Sequence, residues 1–130
     1  MPVKYKVVRT AQPGVKGGGT YKYYPRVTNR NKIDLEELSA IISEKCTLHG
    51  ADIHATLIAL VAEIPRLLIN NYIIELGSLG LFSLHISGEP ADTPEEVTSA
   101  KIKSVKVAFR AGENIKHKLR LASFTADKQK

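Results

Sequence analysis

Two short stretches carry residue types that bind phosphate or metal, and each falls short of a working site. The glycine-rich stretch from Gly14 to Thr20 ends in threonine, as a phosphate-binding loop does, but no lysine stands directly before that threonine and a strand pattern follows. A phosphate cradle needs that lysine and a helix N-terminus at this point. Cys46 and His49 have a Cys-x-x-His spacing, but structural zinc needs four ligands and no second close pair is present. We therefore predict no metal site and no cofactor.

Ser78 is the remaining candidate for chemistry, as a nucleophile. It lies in Gly-Ser-Leu-Gly, which has Leu76 where the first glycine of a nucleophile elbow belongs. No Ser/His/Asp or paired-carboxylate arrangement accompanies it. We therefore predict no catalytic residues and no small-molecule substrate, and we interpret the chain as a protein that is not an enzyme.

The charged residues are segregated along the chain. Residues 1–33 hold eight Lys or Arg and no acid, residues 34–100 hold two against eleven, and residues 101–130 hold nine against two. Segregated charge creates a local positive potential, which favours binding of a polyanion beyond what the net charge of +6 indicates. The alternative is a solvated charged surface.

The composition is that of one ordinary globular domain, with 130 residues of which 43% are hydrophobic and 25% charged. The N-terminus lacks the apolar region of a secretory signal, and no apolar run approaches the length of a membrane-spanning helix. A lone cysteine, Cys46, fits a reducing compartment. We expect a cytoplasmic protein that has no membrane partner.

Residues 1–33 are predicted to form a basic β-hairpin. Apolar and basic residues alternate over residues 3–9 and 20–27, so the hairpin should have one apolar and one basic face. Pro25 predicts that the second strand lies at a sheet edge. The tyrosines of this segment, Tyr21 and Tyr24 among them, either pack the hairpin against helices or stack on nucleobases.

Residues 34–122 are predicted to form a second, larger region. Asp34 and Glu37 form a capping box, and helices are predicted over residues 35–46 and about 51–70. The second helix is apolar around most of its circumference, with Leu60, Val61 and Ile64 on its main face. Because so small a monomer has little with which to cover that helix, a second copy is expected to do so.

The rest of this region is predicted as a sheet followed by a short helix. Residues 73–86 read as strand, turn, strand, residues 88–100 as a loop or arm, and residues 101–110 as a further strand. On that strand Val105, Val107 and Phe109 alternate with Ser104, Lys106 and Arg110. A slip between Ile102 and Val105 predicts either a bulge or the point where an arm leaves the body. A helix from Glu113 to Ala122 and a polar tail over residues 123–130 complete the prediction.

Two segments carry a family resemblance: Ile-Glu-Leu-Gly-Ser-Leu-Gly-Leu-Phe at 74–82 and Val-Ala-Phe-Arg-Ala-Gly-Glu-Asn-Ile-Lys at 107–116. Together with the element order, they resemble the HU and integration-host-factor family of bacterial histone-like DNA-binding proteins. The Lys-Tyr-Lys-Val-Val segment at 4–8 and the acidic arm are similar to a divergent, Bacteroides-type HU-related branch with an N-terminal hairpin extension.

The resemblance implies an α+β, HU-like fold: a helical base and a three-stranded antiparallel sheet with an arm, intertwined as a dimer. It implies that Phe82 and Phe109 lie in the dimer core, where Leu60, Val61 and Ile64 are also expected. It places the Ser78 amide, Arg110 and Lys116 near DNA phosphates. Pro90 takes the place of the arm-tip residue that in such proteins wedges between base steps.

The arm departs from that family pattern because it is acidic. Four carboxylates, on Glu89, Asp92, Glu95 and Glu96, would be repelled by the phosphates, which disfavours insertion into a minor groove. The expected contact surface therefore shifts to the basic residues on either side of the acidic segment: Lys101, Lys103, Lys106, Arg110, Lys116 and Lys118, together with Lys4, Lys6, Lys22 and Arg26 of the hairpin.

The resulting hypothesis is a nucleoid-associated homodimer that binds and condenses double-stranded DNA without sequence preference. Two alternatives stay open. One is an HU-fold dimeric structural or protein-interaction module that binds DNA weakly or not at all because of its acidic arm. The other is binding of RNA or single-stranded DNA, in which Tyr24 and its neighbours stack on bases.

Overall fold

The computed structural model describes residues 2–12 and 14–127. The elements follow in the order β1 (Val3–Thr10), β2 (Lys22–Val27), α1 (Leu35–Ser43), α2 (Gly50–Ile69), β3 (Ile74–Glu75), β4 (Gly80–Gly88), β5 (Ile102–Ala111), α3 (Glu113–Leu119) and β6 (Phe124–Ala126). This is the mixed α+β class predicted. The chain divides into two compact units, one formed by the residues up to Lys32 with those from Leu119 onward, and the other by Ile33–Lys118.

The first unit is a three-stranded sheet in the order β2, β1, β6. β1 and β2 are antiparallel, with Tyr5 opposite Val27 and Lys6 opposite Arg26. Because paired residues point to the same side of a sheet, the register gives one apolar and one basic face, as predicted. β2 is an edge strand, which confirms the inference from Pro25.

β6 is a strand that the sequence pattern does not predict. Residues 123–130 are expected to be a polar tail, but Phe124–Ala126 instead pair with β1 in parallel, with Val3 opposite Phe124. The Val3 amide donates to the Ser123 carbonyl at 2.7 Å and the Asp127 amide donates to the Tyr5 carbonyl at 2.8 Å. The predicted two-stranded hairpin is thus part of a larger sheet; residues 128–130 lie outside the described residues.

The helices of the second unit begin where the sequence predicts and end slightly earlier. The Asp34 side chain caps α1 by accepting a hydrogen bond from the Glu37 amide at 2.9 Å, as the capping-box pattern predicts. α1 ends at Ser43, three residues before the predicted end, and turns follow it. α2 runs through Pro65 to Ile69.

The second sheet has the antiparallel order β3, β4, β5. Its register shifts between Ser87 and Gly88, which face Ser104 and Ile102, so Lys103 is the extra residue of a bulge. The bulge lies where the slip in the sequence pattern predicts it. Gly80, at φ +144°, permits a close approach, because a Cβ there would lie 2.3 Å from the Arg110 carbonyl oxygen.

The connection between β4 and β5 contains two single-turn 3₁₀ segments, Pro94–Glu96 and Ser99–Lys101. The Glu89 amide donates to the Lys101 carbonyl at 3.0 Å, which closes the base of the connection. Within the turns, the Val97 amide donates to the Pro94 carbonyl at 3.2 Å. These bonds give the acidic segment a defined local structure.

Few apolar side chains are buried. Within residues 2–12 and 14–127, the buried apolar side chains are Ile53 and Leu68 on α2, and each is 5% exposed. In the same part of the chain, no helix combines the length and apolarity needed to cross a membrane.

Candidate functional site

One face of the second sheet is mostly polar, and we call it the polar sheet face. Leu81 faces Arg110, Ser83 faces Ala108, His85 faces Lys106 and Ser87 faces Ser104. Arg110 and Lys106 lie on the same side of β5, four residues apart, which corresponds to about 13 Å along an extended strand. Both side chains are exposed, so a single elongated anion can contact both cations.

The turn before β4 brings a second group of predicted residues together. Arg110 and Lys116 line one open cleft of about 220 Å³ that also includes Gly77. Ser78 lies in the adjoining 3₁₀ turn, and its hydroxyl accepts a hydrogen bond from the Asn114 amide at 3.5 Å. The backbone is closely packed here, because a Cβ on Gly112 would lie 2.3 Å from the Ser78 carbonyl oxygen.

Two carboxylates moderate the charge of this cleft. Glu75 and Glu113 also line it, and the Lys116 ammonium lies 3.9 Å from a carboxylate oxygen of Glu113. The cleft therefore holds two cations and two anions. An added anion here competes with carboxylates that are already present.

The remaining predicted cations of the second unit lie at the base of the β4–β5 connection and on α3. The Lys103 ammonium lies 3.7 Å from a Glu89 carboxylate oxygen, and both side chains are more than half exposed. Lys101 is half-buried at the end of a 3₁₀ turn, and Lys118 is exposed on α3. Pro90 lies in the connection beside Glu89 and is exposed.

The first unit has its own cationic surface, the basic hairpin face. The register places the four predicted cations of the hairpin on one side of the sheet: Lys4, Lys6, Lys22 and Arg26. Lys6 lies directly opposite Arg26, and like charges in that arrangement repel. The sequence supplies no carboxylate in residues 1–33 to relieve this repulsion locally.

The opposite face of the second sheet is apolar. Phe82 and Phe109 are paired across β4 and β5 with ring centroids 4.9 Å apart, and Leu84–Val107 and Ile86–Val105 extend the same face. Phe109 is 48% exposed and Phe82 is half-buried. On α2, Leu60 and Ile64 are half-buried and Val61 is 56% exposed. All five residues predicted for a dimer core thus retain accessible apolar surface in a single chain.

The register also identifies polar residues that the sequence analysis does not single out. His85 lies opposite Lys106, and its Nε2 is 3.2 Å from the Ser83 hydroxyl. Asn114 contacts Ser78, 36 positions earlier in the chain. Only the strand pairing and the fold bring these residues together. Across residues 2–12 and 14–127, no group of three or more His, Cys, Asp or Glu side chains is placed to hold a metal ion.

Comparison with known proteins shows the family to which this chain belongs. A family model described as an HU domain fused to wHTH, Ig, or Glycine-rich motif matches residues 1–126, so the chain carries an HU-type domain. The chain belongs to this HU-HIG family, which confirms the resemblance recognised in the sequence.

A solved structure shares the fold. It is the crystal structure of a candidate bacterial DNA-binding protein from Bacteroides vulgatus ATCC 8482, with a TM-score of 0.65 and 11% sequence identity. The match covers 98% of this chain and 50% of that chain, so this chain spans about half the length of that protein. No curated protein matches the chain.

Proposed function

We propose that this protein binds double-stranded DNA without sequence preference, as a nucleoid-associated, histone-like homodimer in the cytoplasm. One observation carries the proposal: in each of the two sheets, most cations lie on one face and most apolar side chains on the other. The HU-type family and the DNA-binding description of the Bacteroides vulgatus protein support the DNA-binding part of this proposal.

The cationic faces suit DNA phosphates better than a specific base sequence. Lys and Arg neutralise phosphates and release counterions, which gives affinity without sequence discrimination. The repulsion between Lys6 and Arg26 is relieved when a phosphate lies between them. We propose that Arg110, Lys106, Lys103, Lys101, Lys116, Lys118 and the Ser78 amide contact DNA, together with Lys4, Lys6, Lys22 and Arg26. We also propose that Pro90, which lies next to the base of the β4–β5 connection and not at its tip, does not enter the minor groove.

The homodimer is supported by accessible apolar surface in the second unit. Val61 and Phe109 are each about half exposed in one chain, although aliphatic and aromatic side chains of this kind are normally covered. A second copy that packs against α2 and the Phe82–Phe109 face supplies that cover and doubles the number of cations presented to DNA.

Fluorescence anisotropy with labelled random-sequence duplex DNA tests the proposal. We expect tight binding at about 50 mM salt that weakens steeply by about 200 mM, with equal affinities for unrelated sequences. Arg110→Gln should weaken binding. It should also reduce the magnitude of the slope of log affinity against log salt concentration by about one. Lys45→Gln, at an exposed lysine outside the cationic faces, is the matched control and should bind as wild type.

A second function is favoured by the placement of acids beside the cations. Glu89 pairs with Lys103, and Glu75 and Glu113 share a cleft with Arg110 and Lys116. In that case the protein is a dimeric interaction module whose acidic connection contacts a basic protein. Absence of duplex binding at about 50 mM salt, together with binding of a polylysine probe, would favour this function.

A further inference from the structure

The face of the first unit opposite the basic hairpin face is an open aromatic surface, which we call the aromatic sheet face. It forms a groove of about 690 Å³ lined by apolar side chains of all three strands, among them Tyr5, Tyr23 and Phe124. Tyr23 and Phe124 are each 68% exposed, and Tyr5 is half-buried. The rings are therefore accessible to a ligand.

The rings follow the direction of β1. Phe124 lies opposite Val3, and Tyr23 lies opposite Arg9, six residues further along β1, so the two rings are about 20 Å apart along the strand. Tyr5 lies on the same face between these two positions. A ligand that contacts all three rings must be elongated, and flat groups along it could stack on the rings.

Cations accompany the rings. Arg9 is on the aromatic sheet face, and its guanidinium lies 4.6 Å from the centre of the Tyr21 ring. Arg26, on the edge strand β2, also borders the groove, although its pairing with Lys6 places it on the basic hairpin face. The Asp127 carboxylate, at the end of β6, accepts a hydrogen bond from the Asn29 side-chain amide. The groove is thus apolar along its floor, and Arg9 is the cation that the strand register places on the same face.

Three kinds of occupant fit an exposed apolar face, and the charge distinguishes among them. If a second copy covered this face, residues 1–33 of the two chains would lie against each other. Each of these segments carries eight cations and no acid, so the two copies would repel each other. An uncharged protein segment would cover the rings but leave Arg9 without an anion. A single strand of nucleic acid supplies both stacking bases and phosphates. A duplex does not, because its bases are already stacked and paired.

We propose that the aromatic sheet face binds single-stranded DNA, with Tyr23 and Phe124 stacking on bases and Arg9 contacting the phosphates. This goes beyond the proposed duplex binding, for which the basic hairpin face and the polar sheet face are used. The two activities therefore have separate residues and can be lost separately. Tyr24 also borders the groove, but it lies opposite Val8 on the basic side of the sheet and is half-buried, so Tyr23 is the more accessible ring.

A tryptophan placed in the groove tests for stacking in the full chain. The chain contains no tryptophan, so Tyr23→Trp introduces a single reporter at an exposed ring position. We expect oligothymidylate of about 20 nucleotides to quench its emission. A duplex of the same length should leave the emission nearly unchanged at about 200 mM salt.

Substitutions at the same positions separate stacking from simple apolar contact. Tyr23→Phe should retain affinity for oligothymidylate within about twofold, whereas Tyr23→Leu and Phe124→Leu should each weaken it about fivefold or more. Tyr72→Leu is the matched control, because Tyr72 is 60% exposed in the second unit, and it should bind as wild type. Circular dichroism of each variant verifies that it is folded.

Several results would overturn the proposal. One is wild-type affinity for oligothymidylate in both leucine variants. Another is a blue-shifted tryptophan emission that depends on protein concentration without DNA, which would show that a second copy covers the face. Tighter, equally ring-dependent binding of oligouridylate would make RNA the occupant. Because Tyr23→Leu should leave duplex affinity unchanged and Arg110→Gln should lower it, failure of this proposal is distinguishable from failure of duplex binding.

Discussion

Lys6 and Arg26 show at the level of single residues how binding and stability oppose each other. They lie directly opposite each other on β1 and β2, at a separation where like charges destabilise a sheet. A surface selected only for folding would place an acid at one of these positions. The pairing is therefore consistent with the proposed role of these two cations in binding phosphate.

Replacing one member of this pair should change stability and affinity in opposite directions. We expect Arg26→Gln to raise the free energy of unfolding by about 0.2–1 kcal/mol, because the repulsion is removed, and to weaken duplex binding. Urea unfolding followed by tyrosine fluorescence measures the first effect, since Tyr5, Tyr21, Tyr23 and Tyr24 lie in the first unit and only Tyr72 lies elsewhere.

Lys22→Gln is the control for this experiment. Lys22 is on the same basic hairpin face, but it lies opposite the uncharged Thr10. It should therefore lose DNA affinity without gaining stability. Equal stability changes in the two variants would mean that repulsion within the pair has no measurable effect.

Among the elements, the β4–β5 connection differs most from what a DNA-binding arm requires. It carries four carboxylates, and Glu89 at its base pairs with Lys103 on the bulge of β5. This pair makes one cation of the candidate interface less available to phosphate. In the proposed complex, we therefore expect the connection to limit affinity for DNA whether or not it touches the duplex.

Neutralising Glu89 should strengthen duplex binding. We expect Glu89→Gln to increase affinity by about twofold to fivefold at about 50 mM salt, and by less at about 200 mM, because the charges are exposed and screened. Anisotropy titrations at the two salt concentrations measure the change. Glu44→Gln, at an exposed acid just after α1, should have no effect, and an equal gain in both variants would indicate only a change in net charge.

At the scale of the whole molecule, the small buried core is the strongest argument for a second copy. The buried apolar side chains of the described residues, Ile53 and Leu68, are too few to stabilise the second unit, since burial of such a side chain contributes only about 1.5–3 kcal/mol. We therefore expect the folded form to be the dimer.

Val61→Glu tests the dimer directly. Val61 is 56% exposed in one chain, so in a monomer the substitution should be nearly neutral. In a dimer it buries an unpaired charge and should cost at least about 2 kcal/mol, which is seen as a halved mass in sedimentation or a loss of helical circular dichroism. Val15→Glu is the control, at an apolar residue that is 46% exposed between β1 and β2. It should change neither the mass nor the helical circular dichroism. A Val61→Glu protein with wild-type mass and helicity contradicts a dimer through α2.

Local patterns in the sequence predict most of the fold. The Asp34 cap, the edge position implied by Pro25 and the bulge at Lys103 each follow from the physical properties of neighbouring residues, and the structure contains all three. The alternation along β5 also places Arg110 and Lys106 on one face correctly.

Long-range pairing could not be predicted in the same way. Phe-Thr-Ala at 124–126 is too short to show a strand period, and a parallel partner far away leaves no turn signal. For the same reason the sequence does not distinguish Tyr23 from Tyr24, because they are adjacent and only the register with β1 shows that Tyr23 shares a face with Tyr5.

The pairing of Val3 with Phe124 also determines when the first unit is able to fold. During synthesis β1 leaves the ribosome long before β6, with the entire second unit made in between. At ordinary translation rates this interval is on the order of ten seconds, whereas a hairpin forms within microseconds. For that time the β1 edge that later receives β6 is open, and the nascent hairpin has its cations available before its sheet is complete.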